Sequence, residues 1–264
     1  MHLIRSFFKK RKIDSGIRYI NLDETDSTNS YCRDGLNVNP EEGMAAPRIV
    51  VVSTDFQLAG RGQGTNSWES ERGQNLLFSI LCHPVWVPIA TQFIISECIA
   101  LAIKDVLSEM TSDITIKWPN DIYWKDAKIC GILIENKLSH GQIKDCIIGV
   151  GLNVNQHGFN SDAPNPVSLV QILGHEVDRQ TLLEEIVKRF DLYLHDLETG
   201  EYGNVAGSYA NSLYRSHGFH KYKDAEEEFE AAIIEVEDDG HLILRDREGR
   251  IRSYAFKEIE FIIS

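Results

Sequence analysis

A glycine-rich loop directly after a predicted buried strand is the feature that most constrains this chain. The run Ile49–Thr54 is rich in β-branched residues, which predicts a strand, and Gly60, Gly62 and Gly64 follow it at alternate positions. Glycine adopts positive φ readily and leaves no side chain in the way, so such a loop can direct several N–H groups at one anion. Arg61 adds a permanent positive charge that suits bidentate binding of carboxylate or phosphate oxygens.

The loop matches neither of the common nucleotide-binding fingerprints. It is not a P-loop, because no Gly-Lys-Ser/Thr closes it, and Thr65 stands where the dinucleotide motif has its last glycine. By itself the loop is more typical of an ordinary turn than of a site. A second segment, Lys117–Asp121 followed by Lys128–Glu135, changes that balance, although each part alone is also typical of a strand end or a surface lysine.

Taken together, these segments resemble the biotin protein ligases. That family has the blocks Ser-Thr-Asn, Gln-x-x-Gly-Arg-Gly followed by Trp, Gly-x-Asn-Leu-x-x-Ser, Lys-Trp-Pro-Asn-Asp, Lys-x-x-Gly-Ile-Leu-x-Glu and Gly-x-Gly-x-Asn. Six blocks stand in the same order in this chain: Ser27–Asn29, Gln57–Trp68, Gly73–Ser79, Lys117–Asp121, Lys128–Glu135 and Gly149–Asn153.

The resemblance implies an α+β fold, with a mixed sheet flanked by helices as in class II synthetases and a small SH3-like β-barrel at the C-terminus. Short alternating runs from Phe229 onwards, separated by Asp-Gly and Glu-Gly turns, independently indicate an antiparallel barrel. We therefore predict an N-terminal tail over 1–16, a catalytic domain over 17–216 and the barrel over 217–264.

Apolar residues at helical spacing predict two long helices. One follows Pro88, and the other covers Thr181–Leu197 with a Thr-x-x-Glu capping box in its first turn. Ser27–Asn29 can also cap a helix that begins near Ser30. Few apolar residues occur over 156–167, which predicts a loop.

Composition argues against several classes of protein. With 27 Lys+Arg against 40 Asp+Glu, the formal net charge is −13, so we predict no nucleic-acid partner. The five cysteines are odd in number and lack metal-ligand spacing, which predicts reduced thiols, no protein-built metal site and a cytoplasmic location. The basic first dozen residues predict a solvated tail, and no run reaches the ~18 apolar residues of a membrane helix, so we predict no membrane partner.

The resemblance implies a reaction in two steps. The biotin carboxylate attacks the α-phosphate of ATP, giving biotinyl-5′-adenylate and diphosphate. A lysine of the biotin carboxyl carrier domain of a carboxylase then attacks the mixed anhydride and releases AMP. A carboxylate is already a nucleophile at neutral pH, so the first step requires two anions held together and their charge neutralised. ATP and Mg²⁺ are the expected cofactors, and exposed edge strands near 142–153 make a homodimer plausible.

The same resemblance assigns roles to individual residues. Lys128 bridges the biotin carboxylate and the α-phosphate, Arg61 binds the carboxylate, and Asp121 helps the incoming lysine to lose its proton. These three are the predicted catalytic residues. The predicted biotin-binding residues are Ser27, Thr28, Asn29, Gln57, Gly60, Arg61, Gly62, Gln63, Lys128, Gly131, Leu133 and Gly149. The predicted ATP- or adenylate-binding residues are Arg61, Trp68, Lys117, Asn120, Asp121, Lys128 and Asn153.

Two positions depart from the family pattern. Gln63 stands where many members have a second arginine, which leaves part of the anion site neutral and predicts weaker retention of the adenylate. The segment Glu258–Ser264 lacks the basic residue that some relatives direct at the nucleotide. By resemblance the loop over 156–167 covers the adenylate, with Phe159 as a candidate lid residue.

Three further expectations follow from the resemblance. Ser27 comes too early to leave room for the DNA-binding winged helix of some bacterial ligases, so no operator binding is expected. Within the enzymes, a lipoate-type ligase of the same fold is the alternative. Outside them, the alternative is a non-catalytic sensor of biotin or its adenylate, which Gln63 keeps open.

Overall fold

The computed structural model of the protein describes residues 16–34, 46–64, 66–160 and 165–263. Most of the predicted tail over 1–16 lies outside these ranges, as do Thr65 and Ser264. The predicted loop over 156–167 lies outside them at 161–164.

Seven strands form a mixed sheet. They are β1 (Ile17–Leu22), β2 (Ile49–Thr54), β3 (Leu76–Cys82), β4 (Ile114–Lys117), β5 (Asp121–Trp124), β6 (Ala127–Ser139) and β7 (Gln142–Leu152). Their order is β1-β2-β3-β7-β6-β5-β4. β1 and β2 pair in parallel, whereas the pairs β2–β3, β3–β7, β7–β6 and β4–β5 are antiparallel.

Five further strands form an antiparallel sheet, which we call the C-terminal sheet. They are β8 (His220–Lys223), β9 (Glu228–Val236), β10 (Leu242–Asp246), β11 (Ile251–Tyr254) and β12 (Glu260–Phe261), in the order β11-β10-β9-β8-β12. The predicted α+β class, with a mixed sheet and a small C-terminal β-structure, is therefore confirmed.

The helices of the described residues are α1 (Thr28–Asp34), α2 (Ile94–Ser108), α3 (Leu169–Leu173), α4 (Arg179–Glu198) and α5 (Tyr202–Asn211). Three details differ from the predictions. Asp178 Oδ1 accepts the Thr181 N–H at 2.7 Å, so Asp178 caps α4 and the predicted Thr-x-x-Glu box is wrong. A capping box is instead present at Ser168 and Gln171. α1 begins at Thr28, two residues before the predicted start.

The prediction of an exposed edge strand near 142–153 is wrong for residues 146–152, whereas residues 142–145 pair with β6 alone. β7 pairs with β6 along its whole length, and its residues Cys146–Leu152 pair with β3 on the other side. Both edges of the strand are therefore hydrogen-bonded over those residues, as in any strand in the interior of a sheet. Residues 146–152 therefore offer no free edge to a second copy, and the homodimer stays a prediction.

The described chain divides into two compact units, and each is built from two segments. Of the described residues, the first unit comprises those up to Val87 and those from Ile129 to Leu183, and the second comprises Pro88–Lys128 and those from Glu184 onwards. In the first unit, α1 packs on the sheet through a cluster of apolar residues: Ile20, Leu22, Cys32, Val50, Val52, Leu81 and Ile147. In the second unit, α2, α5 and the C-terminal sheet meet at aromatic rings, with Phe93 5.9 Å from both Tyr209 and Phe256.

All five cysteines are buried, and none forms a disulfide. No helix in the described ranges is both long and apolar enough to cross a lipid bilayer.

A buried carboxyl group on α2 leads to a prediction about stability. Glu97 is 5% exposed. Burial, and then the charge of Asp238, raises the pKa of Glu97 to about 7, and burial raises the pKa of Tyr209, the other titratable group beside it. Between the ordinary pKa of 4.5 and about 7, the folded state binds more protons at this site than the unfolded state does. The free energy of unfolding therefore falls as pH rises through that window.

We expect Glu97→Gln to be more stable than the wild type at pH 8, by up to about 3 kcal/mol, because a neutral amide avoids the cost of burying the ionised group. The gain should shrink at pH 5, where Glu97 is protonated in the folded protein. Urea unfolding at both pH values measures the difference, with the exposed Glu228→Gln as control. An equal gain at pH 5 and pH 8 would contradict this explanation.

Candidate active site

Three adjacent strands of the first unit present small residues on one face. Ser79 of β3 pairs with Gly149 of β7, which in turn pairs with Leu133 of β6. Two positions along, Gly151 pairs with Gly131. Side chains two residues apart share a face of a strand, so these five residues lie on one surface, which we call the glycine face. Because Gly149 and Gly151 lack side chains, groups from other parts of the first unit can approach the backbone of β7 closely.

Polar side chains from α1 and the following loop lie on the glycine face. The Ser79 hydroxyl is 2.7 Å from Thr28 Oγ1 and 2.6 Å from Asn29 Oδ1. The Asn29 amide donates to Glu135 Oε2 at 2.8 Å, and the Thr28 N–H donates to Gln57 Oε1 at 2.9 Å. The structure thus brings together predicted biotin-binding residues that are up to 120 positions apart in the chain.

Close approach explains the two glycines of β7. A Cβ atom at Gly149 would lie 2.3 Å from Asn29 Oδ1, and one at Gly151 would lie 2.3 Å from Trp68 Cε2. Both distances are far inside van der Waals contact, so only glycine fits while these side chains keep their positions. Trp68, predicted as an adenylate-binding residue, therefore lies over the glycine face.

The loop from Gly60 to Trp68 is closed on itself. The Trp68 N–H donates to the Gly60 carbonyl at 3.0 Å, and the Gly62 N–H donates to the Asn66 carbonyl at 2.7 Å. The expectation that these loop N–H groups point at an anion is therefore wrong for Gly62 and Trp68. Positive φ is used only at Gly64 among the three glycines, whereas Gly60 is required because a Cβ there would meet the Trp68 carbonyl at 2.6 Å.

Arg61 is bound to a carboxylate of its own chain. Its two terminal nitrogens lie 3.3 Å and 3.0 Å from the two carboxylate oxygens of Glu135, and Arg33 lies 3.5 Å from the same group. The Arg61 side chain is 41% exposed, and ion pairs at such positions contribute little free energy. A ligand carboxylate or phosphate can therefore compete with Glu135 for the guanidinium.

A second cluster lies in the second unit and contains Lys117, Asp121 and Lys128. Lys128 Nζ is 2.7 Å from Asp121 Oδ1, and Lys117 and Asp121 pair across the β4–β5 hairpin. We call these three residues the lysine cluster. It combines two ammonium groups with one carboxylate, so it offers a net positive charge to a ligand.

Aromatic rings surround the ammonium group of Lys117. Its nitrogen is 5.2 Å from the centre of the Tyr123 ring and 5.1 Å from that of Phe261. Burial lowers the pKa of Lys117, and Lys128 and Arg215 lower it further, while Asp121 opposes the shift. Arg215 was not among the predicted residues, since its position between α5 and β8 carries no sequence signal.

The other predicted residues have structural contacts of their own. Asn153 is buried, and its side-chain amide donates to the Val167 carbonyl at 3.1 Å. The Ser27 carbonyl accepts the Tyr31 N–H at 2.9 Å within α1. Gln63 accepts the Asn66 N–H through its backbone carbonyl at 3.3 Å, and Asn120 lies in the turn between β4 and β5.

Ser79 and Glu135 each end one of the family motifs, but neither is among the predicted site residues. Each had a weak signal, because a polar residue in a mostly apolar strand is unusual. Their partners, Asn29 and Arg61, come from distant parts of the chain.

A cavity of about 460 Å³ in the first unit lies elsewhere, at the ends of β1 and β2. Arg179 on its wall donates to Asp55 at 2.9 Å and to the Asn75 carbonyl at 3.0 Å. The lining includes none of the predicted site residues.

Comparison with protein families gives an independent result. Residues 22–153 match the model of the biotin/lipoate A/B protein ligase family. This segment is half of the chain, and it contains every predicted site residue.

Individual relatives agree with the family match. The chain is 28% identical over 219 residues to the bifunctional ligase/repressor BirA of Bacillus subtilis, covering 80% of this chain and 66% of that protein. It is 27% identical over 236 residues to a biotin–[acetyl-CoA-carboxylase] ligase of Paracoccus denitrificans, covering 87% of this chain and 95% of that protein.

The fold is shared with a solved structure of a biotin protein ligase from Aquifex aeolicus in complex with biotin and ATP. The TM-score is 0.74 at 24% identity, covering 93% of this chain and 99% of that one. At this identity the likeness establishes the common fold.

Proposed function

Because this chain belongs to the biotin/lipoate A/B protein ligase family, we propose that it joins biotin to ATP and transfers the biotinyl group to a carrier lysine. The first step forms biotinyl-5′-adenylate and releases diphosphate. In the second step, a lysine of a biotin carboxyl carrier domain attacks the activated carbonyl and AMP leaves. The glycine face with Thr28, Asn29 and Ser79 is the observation that carries the proposal.

The chemistry of biotin's ring system fits that surface. Its fused rings are compact and largely apolar, and the ureido group offers two N–H donors and one carbonyl acceptor. The Ser79 and Thr28 hydroxyls can donate or accept, and Asn29 supplies both an amide donor and a carbonyl acceptor. Because Gly149 and Gly151 lack side chains, Asn29 and Trp68 reach the surface of β7, where they can contact the ring system. These features support binding of the ring system here.

Arg61 supplies the means to hold the acid group. Two nitrogens of the guanidinium already donate hydrogen bonds to one carboxylate, that of Glu135. The biotin carboxylate, or the adenylate phosphate formed from it, has the same planar pair of oxygens or a close equivalent. We propose that Arg61 exchanges Glu135 for the ligand, which brings a positive charge to the reacting group.

The lysine cluster provides charge for the nucleotide. We propose that Lys117 contacts phosphate and that Lys128 neutralises the α-phosphate as the carboxylate attacks it. Neutralising charge that develops in the transition state is among the largest catalytic effects available to a protein. Asp121 Oδ1 lies 2.7 Å from Lys128 Nζ. We propose that the Asp121 carboxylate receives a proton from the incoming carrier lysine.

The oxygen atoms of this region fit a magnesium ion. Mg²⁺ takes oxygen ligands and is usually bound through one or two carboxylates together with substrate phosphates. Asp121 and Asn120 offer a carboxylate and an amide oxygen of that kind. When bound with ATP, the ion would offset negative charge on the phosphates.

Biotin-dependent exchange of diphosphate into ATP tests the proposal. We expect exchange that requires biotin, followed by transfer of biotin to a purified carboxylase carrier domain. Exchange with lipoate alone would indicate a lipoate-type ligase. Absence of exchange, together with tight binding of biotin or its adenylate, would indicate a sensor.

Gln63 leads to a prediction about the intermediate. We expect Gln63→Arg to slow release of biotinyl-adenylate by about 10-fold, because one added charge-assisted hydrogen bond to phosphate is worth about 1.4 kcal/mol. A pulse–chase with labelled biotin measures the release. Gln142→Arg, which makes the same change of charge at an exposed hairpin position, should leave release unchanged. Equal slowing in both variants would instead indicate a long-range effect of net charge.

Several expectations remain predictions from the sequence: the boundaries at residues 16 and 217, the lid role of Phe159, a homodimer, a cytoplasmic location and the absence of operator binding. Light scattering in solution measures the oligomeric state, and a mobility-shift experiment with operator DNA tests the last of them.

A further inference from the structure

The turn between β9 and β10 is held rigid by its own hydrogen bonds. The Gly240 N–H donates to the Glu237 carbonyl at 2.8 Å, and the Glu237 N–H donates to the His241 carbonyl at 2.9 Å. Asp239 Oδ1 accepts the His241 N–H at 3.0 Å. Such a turn keeps its shape and can act as a fixed support for whatever packs against it.

Trp118 packs against this turn. Its indole N–H donates to the Gly240 carbonyl at 3.0 Å, although 122 residues separate the two in the chain. The Trp118 side chain is buried, and its ring contacts Phe256 edge to face at 5.5 Å. A buried indole N–H without a partner would be costly, so the bond fixes the position of Trp118 relative to the turn.

Gly240 has no space for a larger residue. Its φ is +95°, and a Cβ atom would lie 2.8 Å from the Phe93 ring and 3.3 Å from the Phe256 ring. Phe93 is itself packed between Tyr209 and Phe256. A side chain at this position must therefore displace either the turn or the Phe93 and Phe256 rings, and Trp118 contacts both the turn and Phe256.

Trp118 is the first residue of the segment that joins Lys117 of β4 to Asp121 of β5, so a shift of Trp118 also moves this segment. The C-terminal sheet also contributes the Phe261 ring, which lies 5.1 Å from the Lys117 ammonium group. Contacts from the C-terminal sheet therefore fix the position of the lysine cluster, in addition to the contacts within the β4–β5 hairpin. Resting on the function proposed above, we propose that Gly240 is a positioning residue that sets the lysine cluster, through Trp118, for activation of the nucleotide.

The test compares two glycines of the C-terminal sheet. Gly240 and Gly249 both have positive φ in turns between strands, but a Cβ at Gly249 would meet nothing within 4 Å. Alanine therefore brings the same backbone strain to both positions and a steric clash to only one. We expect Gly240→Ala to lower kcat/KM for ATP in diphosphate exchange by about 10- to 100-fold, with the Kd for biotin within about 2-fold of wild type.

A second measurement follows the contact itself. In protein labelled with ¹⁵N-tryptophan, the Trp118 indole N–H, identified by its loss in Trp118→Phe, should exchange slowly with solvent in the wild type and in Gly249→Ala. It should exchange faster in Gly240→Ala. Should Gly240→Ala fail to fold, Trp118→Phe decides the question, because it keeps an aromatic ring and removes the indole N–H that bonds to Gly240, together with part of the indole ring. We then expect kcat/KM for ATP to fall in Trp118→Phe while the Kd for biotin stays close to that of the wild type.

The possible outcomes are distinct. Equal kinetics in Gly240→Ala and Gly249→Ala, with an active wild type, would overturn the inference and leave the proposed function standing. Equal losses of ATP and biotin binding in Gly240→Ala would indicate general destabilisation and would also overturn it. A wild type without exchange would overturn the proposed function, and the inference with it, before any variant is made.

Discussion

Replacing Lys128 with alanine is expected to lower biotin-dependent ATP–diphosphate exchange by about 100-fold or more, as removal of one oriented donor does at other charged transition states. The variant loses the ammonium group that we assign to the α-phosphate. It also leaves the Asp121 carboxylate, previously 2.7 Å from a cation, as a negative charge near the incoming nucleotide. Both changes oppose the approach of two anions, so kcat should fall more than the affinity for biotin.

Lys137 is a suitable control for that experiment. It lies on the same strand, β6, but its side chain is 70% exposed and is 3.9 Å from Asp145. Lys137→Ala should therefore exchange at close to the wild-type rate. Lys128→Arg keeps the charge and should recover part of the activity. A folded Lys128→Ala protein with wild-type exchange would contradict the role given to this residue.

Gly149→Ala should weaken biotin binding by about 100-fold. The new Cβ would lie 2.3 Å from Asn29 Oδ1, so Asn29 must leave the glycine face. It then loses its contacts to Ser79 at 2.6 Å and to Glu135 at 2.8 Å. The displaced Asn29 can no longer offer its amide donor and carbonyl acceptor to the ureido group, and loss of two such hydrogen bonds is worth about 3 kcal/mol. Calorimetric titration with biotin measures the effect.

The route of that effect can be checked with a double-mutant cycle. Asn29→Ala removes the same contacts without adding a methyl group to β7. If the Gly149→Ala defect passes through Asn29, the double variant should bind biotin little worse than either single variant. Gly207→Ala, where a Cβ meets nothing within 4 Å, should not affect binding. Additive losses would show that the methyl group blocks the ligand directly.

The order and spacing of the motifs were sufficient to predict that many residues of the glycine face lie on one surface. Gly131 and Leu133 are two positions apart on β6, and side chains alternate between the faces of a strand, so the spacing predicts a shared surface. The order of strands could not be predicted in the same way. Pairing of β7 with both β3 and β6 depends on contacts between distant segments, which is why the expectation of an exposed edge was wrong for residues 146–152.

Polar partners from distant segments were the least predictable part of the site. Glu135 acquires its role from Arg61, 74 residues earlier in the chain. Ser79 acquires its role from Asn29, 50 residues earlier. Such pairs cannot be predicted from a local sequence pattern, because hydrogen bonds between distant side chains depend on tertiary packing. The closed form of the Gly60–Trp68 loop is a similar case, since its glycines suggested free N–H groups.

Helix α5 shows a different limit of sequence reading. It contains Gly203 and Gly207, and each glycine costs about 1 kcal/mol relative to alanine within a helix. Its sequence therefore does not predict a helix. Val205 and Tyr209 are fully buried, so tertiary packing stabilises α5 despite its weak intrinsic tendency.

The discontinuous second unit has a consequence for synthesis of the protein. Phe93 and Trp118 emerge from the ribosome more than 110 residues before Gly240 and Phe256, with which they pack. At translation rates of about 5–20 residues per second, that interval is about 6–30 s. During this interval the aromatic side chains of α2 and of the β4–β5 hairpin lack the residues that bury them in the folded protein. The second unit can therefore finish folding only after almost its last strand has been synthesised.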